Sequence, residues 1–344
     1  MKAVVFNGPY DIQVVDRQTP SVQEPTDAIV KVKYAGLCGS DLHVYRGHEK
    51  CDPGFVMGHE FMGEVVSVGD KVTKFKPGDR IVSPFTTSCM NCFYCNKGAT
   101  ARCHQSQLFG SPSLDGAQAE YVRVPNADGT LFPALEGVDD KLMVFMGDIL
   151  PTGYFAASSF LKDLSETERK ESVNVVIGCG PVGLCTIVSA LHFTDKVYAL
   201  DSIPERLEEA RRLGAIPLNI NDDPKRTILE ATEGRGADVV MEIVGHADAF
   251  QLAFDLVRPF GKIASVGVHT EDLVLSGAAL YDKNVSLQFG RCSVRRYFDE
   301  ALQVLNKRGH LLEPMSGNLM KLDQAKEAYD IFHNRKAQKI IFEM

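Results

Sequence analysis

The sequence of 344 residues has no apolar run of the roughly 20 residues that a membrane span needs. It also lacks an excess of basic residues, with 37 Lys and Arg against 45 Asp and Glu and a formal net charge of -8. Phosphate binding requires a basic face, so nucleic acid is not expected as a main partner. The opening run, MKAVVFNGPYDIQVVD, alternates like a strand and has no apolar core of a signal peptide. We therefore expect a cytoplasmic protein that binds neither membranes nor nucleic acids.

No internal repeat, low-complexity segment or linker is visible. Residues 1 to about 125 contain short alternating runs such as Ile29–Tyr34, Gly63–Val68 and Arg80–Ser83, which are typical of β structure. From about residue 150, buried strand-like runs alternate with helical stretches, which indicates a parallel, doubly wound α/β sheet. The tail after about 290 predicts two helices and a final strand, which we expect to return to the β-rich first part of the chain.

The α/β part yields specific predictions. The strands are predicted at Val173–Ile177, Lys196–Leu200, Ala237–Ile243, Lys262–Val268 and Val285–Phe289. The helices are predicted at Val182–Phe193, Pro204–Leu213 and Ala247–Leu256, and those of the tail at Arg295–Asn306 and Leu322–Asn334, before the strand Lys339–Glu343.

Four of the nine cysteines form a C-x2-C-x2-C-x7-C run at Cys89, Cys92, Cys95 and Cys103. This spacing lets one loop surround a tetrahedral cation, and four thiolates leave no open position on Zn²⁺, as in structural zinc sites. A disulfide framework and an iron–sulfur cluster are the alternatives, but C-x2-C spacings strain disulfides. We predict a bound structural zinc, which fits a reducing compartment.

A glycine-rich loop follows the predicted strand SVNVVI and opens a helix, with the residues Gly178, Gly180, Pro181, Val182 and Gly183. The glycines of a G-x-G-x-x-G loop permit a tight turn, approach of a pyrophosphate and close helix packing. Asp201 ends the next strand, 23 residues after Gly178, where a carboxylate can accept both adenosine ribose hydroxyls. That charge would repel a 2′-phosphate, so we predict NAD rather than NADP. Arg206 is a further candidate ribose contact.

Two short segments upstream, CGSDLH from Cys38 to His43 and GHE from Gly58 to Glu60, carry the soft and borderline ligands that zinc prefers. Together with the four-cysteine run, the junction DILPTGY at 148–154 and the glycine loop, they occur in the order seen in zinc-dependent medium-chain dehydrogenases/reductases. The chain resembles this family of alcohol, polyol and threonine dehydrogenases nearly from end to end.

The resemblance implies a Rossmann doubly wound parallel sheet at 151–290, which binds NAD. It also implies a β-rich GroES-like catalytic domain formed by 1–150 and 291–344. The ligands of a catalytic zinc would be Cys38, His59 and Asp148, with Glu60 close to the metal and able to exchange with its water. Asp148 replaces the cysteine of many members, and a hard carboxylate leaves zinc more Lewis acidic. Asp41 would orient the ligand histidine.

In this family a catalytic zinc keeps one open position, lowers the pKa of a bound alcohol and assists hydride transfer to NAD. Ser40 would then receive the hydroxyl proton and His43 would release it. The resemblance also places Thr152 against the nicotinamide, Val266 and Gly267 at its carboxamide, and Lys339 at the pyrophosphate. Phe85 and Phe109 are candidates for the substrate pocket.

The expected activity is that of an NAD-dependent zinc alcohol dehydrogenase acting on a small alcohol or aldehyde, with two zinc ions per chain. A polyol, threonine-type or formaldehyde dehydrogenase on the same frame is the first alternative. A noncatalytic protein that binds NAD and zinc is the second, but it would not need Ser40 and His43. Relatives pair through the sheet edge near Val285–Phe289, so a homodimer or homotetramer is expected.

Overall fold

The computed structural model describes all residues, 1–344. It contains fifteen strands: β1 (Lys2–Gly8), β2 (Asp11–Asp16), β3 (Ala28–Leu37), β4 (Glu60–Val68), β5 (Arg80–Ser83), β6 (Tyr121–Val124), β7 (Phe132–Pro133), β8 (Asn174–Ile177), β9 (Val197–Asp201), β10 (Ile216–Asn219), β11 (Ala237–Glu242), β12 (Val257–Ser265), β13 (Ser286–Phe289), β14 (Leu319–Lys321) and β15 (Ile340–Glu343).

The α-helices number thirteen: α1 (Gly39–Tyr45), α2 (Phe93–Asn96), α3 (Ala127–Thr130), α4 (Asp140–Met143), α5 (Ile149–Leu161), α6 (Glu166–Glu171), α7 (Pro181–Ala190), α8 (Pro204–Arg212), α9 (Pro224–Ala231), α10 (Ala247–Leu256), α11 (Gly277–Lys283), α12 (Val294–Arg308) and α13 (Ala325–His333). Short 3₁₀ turns lie at Thr100–Arg102, Val144–Gly147, Gly309–Leu311, Glu313–Ser316 and Leu322–Gln324. No helix is long and apolar enough to cross a membrane.

The chain divides into two compact units. Residues 1–151, 293–302 and 312–344 form the first, and residues 152–292 and 303–311 form the second. The predicted boundaries at 150 and 291 lie close to this division. The sequence did not indicate that residues 303–311, the end of α12 and the turn after it, belong with the second unit.

The first unit is built on a seven-stranded sheet with the path β14-β15-β3-β4-β5-β7 and with β6 paired to β3. Alternating apolar residues of these strands form one core, which includes Val30, Phe61 and Val122. The last strand, β15, pairs with β3 and β14, so the end of the chain lies in the first unit, as the sequence predicted. Strand β1 pairs with β2.

The second unit contains a six-stranded parallel sheet in the order β10-β9-β8-β11-β12-β13. The predicted Rossmann fold is confirmed, and the order in which the strands are added reverses between β8 and β11, the switch point at which such sheets bind ligands. Strand β10, Ile216–Asn219, was not predicted. It is short and contains Pro217, which a sheet tolerates at the edge where this strand lies.

Candidate metal centres and nucleotide site

The four cysteines of the predicted zinc loop converge in the first unit. Their sulfur atoms all lie within 4.8 Å of one another, and the Cys89 and Cys103 sulfurs are 3.4 Å apart without a disulfide. Four sulfurs bound at about 2.3 Å to one tetrahedral zinc would be separated by about 3.8 Å. The cluster therefore fits a closed four-thiolate zinc site.

The electrostatics of this cluster also favour a cation. Hydrogen bonds from the backbone of Cys95 and His104 lower the pKa of Cys92 to about 6. Burial, together with hydrogen bonds to Cys92 and Cys103, raises the pKa of Cys95 to about 12. Four such thiols cannot all ionise without a positive charge between them, and a divalent cation supplies that charge.

A second group of ligand atoms comes together from three parts of the first unit. Cys38 precedes α1, His59 directly precedes β4, which begins at Glu60, and Asp148 stands between a 3₁₀ turn and α5. One ligand atom from each of the four lies within 4.8 Å of the others. The second oxygen of the Glu60 carboxylate, Oε1, is buried and has no hydrogen-bond partner. The thiol of Cys38, the imidazole of His59 and the carboxylate of Asp148 fit three ligands of a zinc ion, with Glu60 beside the fourth position.

His59 is held in one orientation. Its Nδ1 lies 3.3 Å from Asp41 Oδ1, and its Nε2 lies 3.5 Å from Asp148 Oδ2. Asp41 is fixed in turn because its Oδ2 accepts a hydrogen bond from the Cys38 backbone N–H at 2.9 Å. Burial opposes protonation of His59, but Asp41 and Asp148 raise its pKa well above the ordinary value. Nε2 therefore faces the other ligands, where a metal ion would replace the proton.

The two candidate proton carriers lie on α1. Ser40 Oγ is 3.4 Å from Cys38 Sγ and 3.3 Å from His59 Nε2, so its hydroxyl borders the ligand cluster. His43 is partly buried, and its Nδ1 is buried without a hydrogen-bond partner. Burial, and then the nearby His48 and Arg46, lower the pKa of His43.

Lys339 is not placed as the sequence suggested. We expected a pyrophosphate contact, but its side chain is fully buried and its Nζ binds Glu60 Oε2. The ammonium thus serves as the counter-charge of a carboxylate in the ligand cluster. The strand β15 that follows it pairs with β3, and β3 leads into Cys38, which brings Lys339 beside the site.

The glycine loop of the second unit has the geometry of an anion cradle. Gly178 has a φ of +97°, and a Cβ on Gly183 would lie 1.8 Å from the Gly178 carbonyl oxygen. A Cβ on Gly180, in contrast, would meet only Arg206 Nη1 at 3.9 Å. This open space lies at the N-terminus of α7, with Pro181 and Val182 in its first turn. Free N–H groups and the helix dipole favour a pyrophosphate there.

Asp201 stands at the end of β9 beside this loop. Its Oδ2 accepts from the Cys179 N–H at 2.9 Å, and its Oδ1 accepts from the Ile203 N–H at 3.0 Å. Arg206 Nη1 lies 3.7 Å from Asp201 Oδ2. The carboxylate is therefore fixed next to the glycine loop, where the sequence placed the ribose contact, and it retains lone pairs for further donors.

The predicted nicotinamide contacts also belong to the second unit. Thr152 lies in α5, and Val266 and Gly267 directly follow β12. The sequence did not reveal Glu242, which is fully buried at the end of β11. Its carboxylate accepts from the backbone N–H groups of Val244 and Gly245, both at 2.7 Å, and from Ser265 Oγ. Glu242 thereby connects the loop after β11 to the end of β12.

The two candidate pocket residues differ in position. The Phe85 ring centroid lies 6.4 Å from that of His59, at an angle of 82°, so Phe85 borders the ligand cluster. Phe109 is fully buried and packs edge to face on Phe61, 5.2 Å away, within the core of the β sheet. The assignment of Phe109 to the pocket was wrong, because an apolar side chain of this size stabilises the core instead.

Comparison with known proteins agrees with this architecture. Residues 24–134 match the family model of the alcohol dehydrogenase GroES-like domain, and residues 181–307 match that of zinc-binding dehydrogenases. The chain is 52% identical over 346 residues to zinc-type alcohol dehydrogenase B of Aspergillus flavus, covering 99% of this chain and 81% of the relative. It is 30% identical over 352 residues to a sorbitol dehydrogenase of Halalkalibacterium halodurans, covering 99% and 98%.

Among solved structures, the alcohol dehydrogenase from Thermus sp. ATN1 superposes with a TM-score of 0.93 at 36% identity, over 100% of this chain and 99% of that one. The chain belongs to the zinc-dependent medium-chain dehydrogenase/reductase family, as a member of its zinc-type alcohol dehydrogenases. The GroES-like assignment of the β-rich part is thereby confirmed.

Proposed function

We propose that this protein is an NAD-dependent zinc alcohol dehydrogenase that interconverts an alcohol and an aldehyde or ketone. The observation that carries the proposal is the second ligand cluster, in which Cys38, His59, Glu60 and Asp148 meet within 4.8 Å. A structural or sensor protein would need the four-cysteine site. It would not need a second zinc site in which one ligand position can open for a substrate. Ser40 beside that cluster supplies a proton acceptor, which a merely binding protein also does not need.

The site divides the chemistry among its parts. When bound, zinc at Cys38, His59 and Asp148 supplies a Lewis acid for the alcohol oxygen, and NAD supplies the hydride acceptor. Asp41 keeps the His59 imidazole oriented with Nε2 toward the other ligands. Glu60 contributes a carboxylate that can occupy or leave the fourth ligand position of the zinc. Lys339 is its counter-charge, so no unpaired negative charge is buried when the carboxylate leaves the metal.

Oxidation of an alcohol removes a hydride and a proton, and the proton needs a separate route. Ser40 Oγ lies 3.3 Å from His59 Nε2, and it can accept the proton while its own hydroxyl proton passes through the nicotinamide ribose to His43. His43 lies three residues further along α1 and is partly exposed, so it can release the proton to solvent. Its lowered pKa keeps the imidazole neutral, and therefore able to accept a proton, at neutral pH.

The second unit supports NAD rather than NADP. The carboxylate of Asp201 is held beside the glycine loop by two backbone N–H groups. A fixed negative charge at the ribose would accept hydrogen bonds from two hydroxyls and repel a 2′-phosphate.

One residue beside the site supports a substrate class. Phe85 beside His59 favours an apolar or aromatic primary alcohol over a polyol. The relative described as a sorbitol dehydrogenase keeps a polyol as the second candidate.

We also propose a homo-oligomer in the cytoplasm. Strand β13 is the last strand of the six-stranded sheet, so its outer edge can pair with a second copy. The nine cysteines form no disulfide, which fits a reducing compartment.

The test is a screen of NAD reduction over primary, secondary, aromatic and polyol alcohols, with zinc measured on the same sample. The expected result is two zinc ions per chain and reduction of NAD, with an aromatic or apolar primary alcohol preferred. Cys38→Ser should retain one zinc and lose turnover, whereas Cys51→Ser, a cysteine outside both clusters, should retain two zinc ions and activity. One zinc per wild-type chain, or no oxidation of any alcohol, would contradict the proposal.

A further inference from the structure

A buried chain of hydrogen bonds extends from His59 away from the ligand cluster. Asp41, which faces His59 Nδ1, also accepts a hydrogen bond on Oδ2 from Gln118 Nε2 at 3.3 Å. Gln118 Oε1 accepts in turn from the Tyr329 hydroxyl at 2.9 Å. Gln118 and Tyr329 are both fully buried, and they lie 211 residues apart in sequence. The chain thus joins the N-terminal part of the first unit to helix α13.

The direction of each hydrogen bond in this chain is determined by chemistry. An ionised Asp41 can only accept, so it requires the amide nitrogen of Gln118 rather than its oxygen. The oxygen of Gln118 then requires a donor on its other side, and the Tyr329 hydroxyl is that donor. Burial, and then the charge of Asp41, raise the pKa of Tyr329 well above its ordinary value, so the hydroxyl keeps its proton.

The backbone leaves space for this arrangement next to the ligand. Gly58, the residue before His59, has a φ of +93°, and a Cβ there would lie 2.5 Å from Gln118 Cγ. The Gln118 side chain therefore passes directly against the segment that carries His59. The Tyr329 ring is fixed by its core neighbours, including the Tyr45 ring at 5.2 Å.

We propose that Gln118 and Tyr329 are positioning residues for the metal-ligating imidazole of His59, acting through Asp41. Without the Tyr329 hydroxyl, Gln118 Oε1 is left buried without a donor, and only the hydrogen bonds from Nε2 to Asp41 and to the Gly36 carbonyl oxygen still orient the amide. Asp41 then holds His59 less firmly, and zinc binds to a less organised set of ligands. This inference rests on the zinc site of the proposed function.

The test measures zinc affinity by chelator competition, with Zn²⁺ as the probe. The chelator removes the two zinc ions of a chain in separate steps. The step that is missing in Cys38→Ser is assigned to the zinc site of Cys38, His59 and Asp148. Tyr329→Phe removes one hydroxyl and should weaken zinc binding about three- to tenfold, less than the 10–100-fold typical of a residue that contacts a ligand directly. Tyr45→Phe, the same change in the neighbouring ring, should leave zinc affinity unchanged. Gln118→Met should weaken zinc binding as Tyr329→Phe does. It tests the proposal in place of Tyr329→Phe if that variant does not fold.

A double-mutant cycle separates positioning from general stability. In an Asp41→Asn background, Tyr329→Phe should add no further loss of zinc affinity, because the link to His59 is already broken. Equal zinc affinity of Tyr329→Phe and wild type, or full additivity with Asp41→Asn, would overturn the proposal. Either result would leave the proposed function intact if the wild type holds two zinc ions and reduces NAD. A wild type with one zinc ion would contradict both.

Discussion

Lys339 and Glu60 lie 279 residues apart in sequence and form an ion pair in which neither side chain is exposed. Burial opposes the charge of Lys339, but Glu60 and Cys38 raise its pKa, so the ammonium keeps its proton. Lys339, the residue directly before the final strand, therefore neutralises a carboxylate in the ligand cluster. The buried pair of Lys339 and Glu60 therefore bears on both the folding stability of the first unit and the charge of the metal site.

Lys339→Met should strongly destabilise the protein. It leaves the Glu60 carboxylate buried without its counter-charge, and removal of one partner of a buried ion pair typically costs about 3–5 kcal/mol. The free energy of unfolding from urea titration measures the effect. Lys321→Met is the matched control, because the Lys321–Glu343 pair has the same chemistry but is solvent-exposed, with side chains 63% and 37% accessible. That change should cost at most about 1 kcal/mol. Equal losses in the two variants would show that Lys339 is not needed as a buried counter-charge.

Cys95→Ser should remove the closed zinc site and leave the second site in place. Zinc would fall from two ions per chain to one, and the melting temperature would fall because the loop from Cys89 to Cys103 loses the cation that neutralises its thiolates. Metal analysis and thermal unfolding of the same sample give both values. Retention of both zinc ions at the wild-type melting temperature would contradict the assignment of the loop.

The motifs that the sequence revealed are those whose residues are close together in the chain. The cysteine loop spans fifteen positions and the glycine loop six, so their spacing alone indicates their chemistry. The cluster of Cys38, His59 and Asp148 was found only through resemblance to a family, because 110 residues separate its ends and spacing carries no information over such a distance.

The remaining parts of the site depend on tertiary pairing. Lys339 was assigned to a pyrophosphate because relatives carry a basic pyrophosphate contact near the C-terminus. The pairing of β15 with β3 instead brings Lys339 into the interior of the first unit. Gln118 and Tyr329 belong to no motif, and buried polar residues cannot be told from exposed ones in sequence. Phe109 shows the opposite problem, since an apolar side chain fits a core and a pocket equally well until its neighbours are known.

Asp201→Asn should shift cofactor preference toward NADP. The change keeps the shape of the side chain but removes the charge, so NADH affinity should fall about tenfold or more, because a hydrogen bond to a charged group contributes about 1.5–3 kcal/mol. NADPH affinity should rise because the repulsion of the 2′-phosphate is lost. Fluorescence titration with both cofactors measures the two constants. Glu205→Gln, which removes an exposed carboxylate nearby on α8, is the control and should change neither affinity. An unchanged NADH affinity in Asp201→Asn would count against the ribose contact.

His48→Gln should move the acid limb of the pH profile of alcohol oxidation to higher pH. Burial, His48 and Arg46 all lower the pKa of His43, and the two histidine rings lie 5.9 Å apart. Proton release needs neutral His43, so activity should decline as pH falls through its pKa, below the ordinary value of about 6.5. Removal of His48 takes away one cause of the lowering, so the limb appears at a higher pH. The kcat/KM profile of His104→Gln, an exposed histidine of the cysteine loop, should match the wild type. If His43→Gln retains the same acid limb as the wild type, the limb belongs to another group and His43 does not carry the proton.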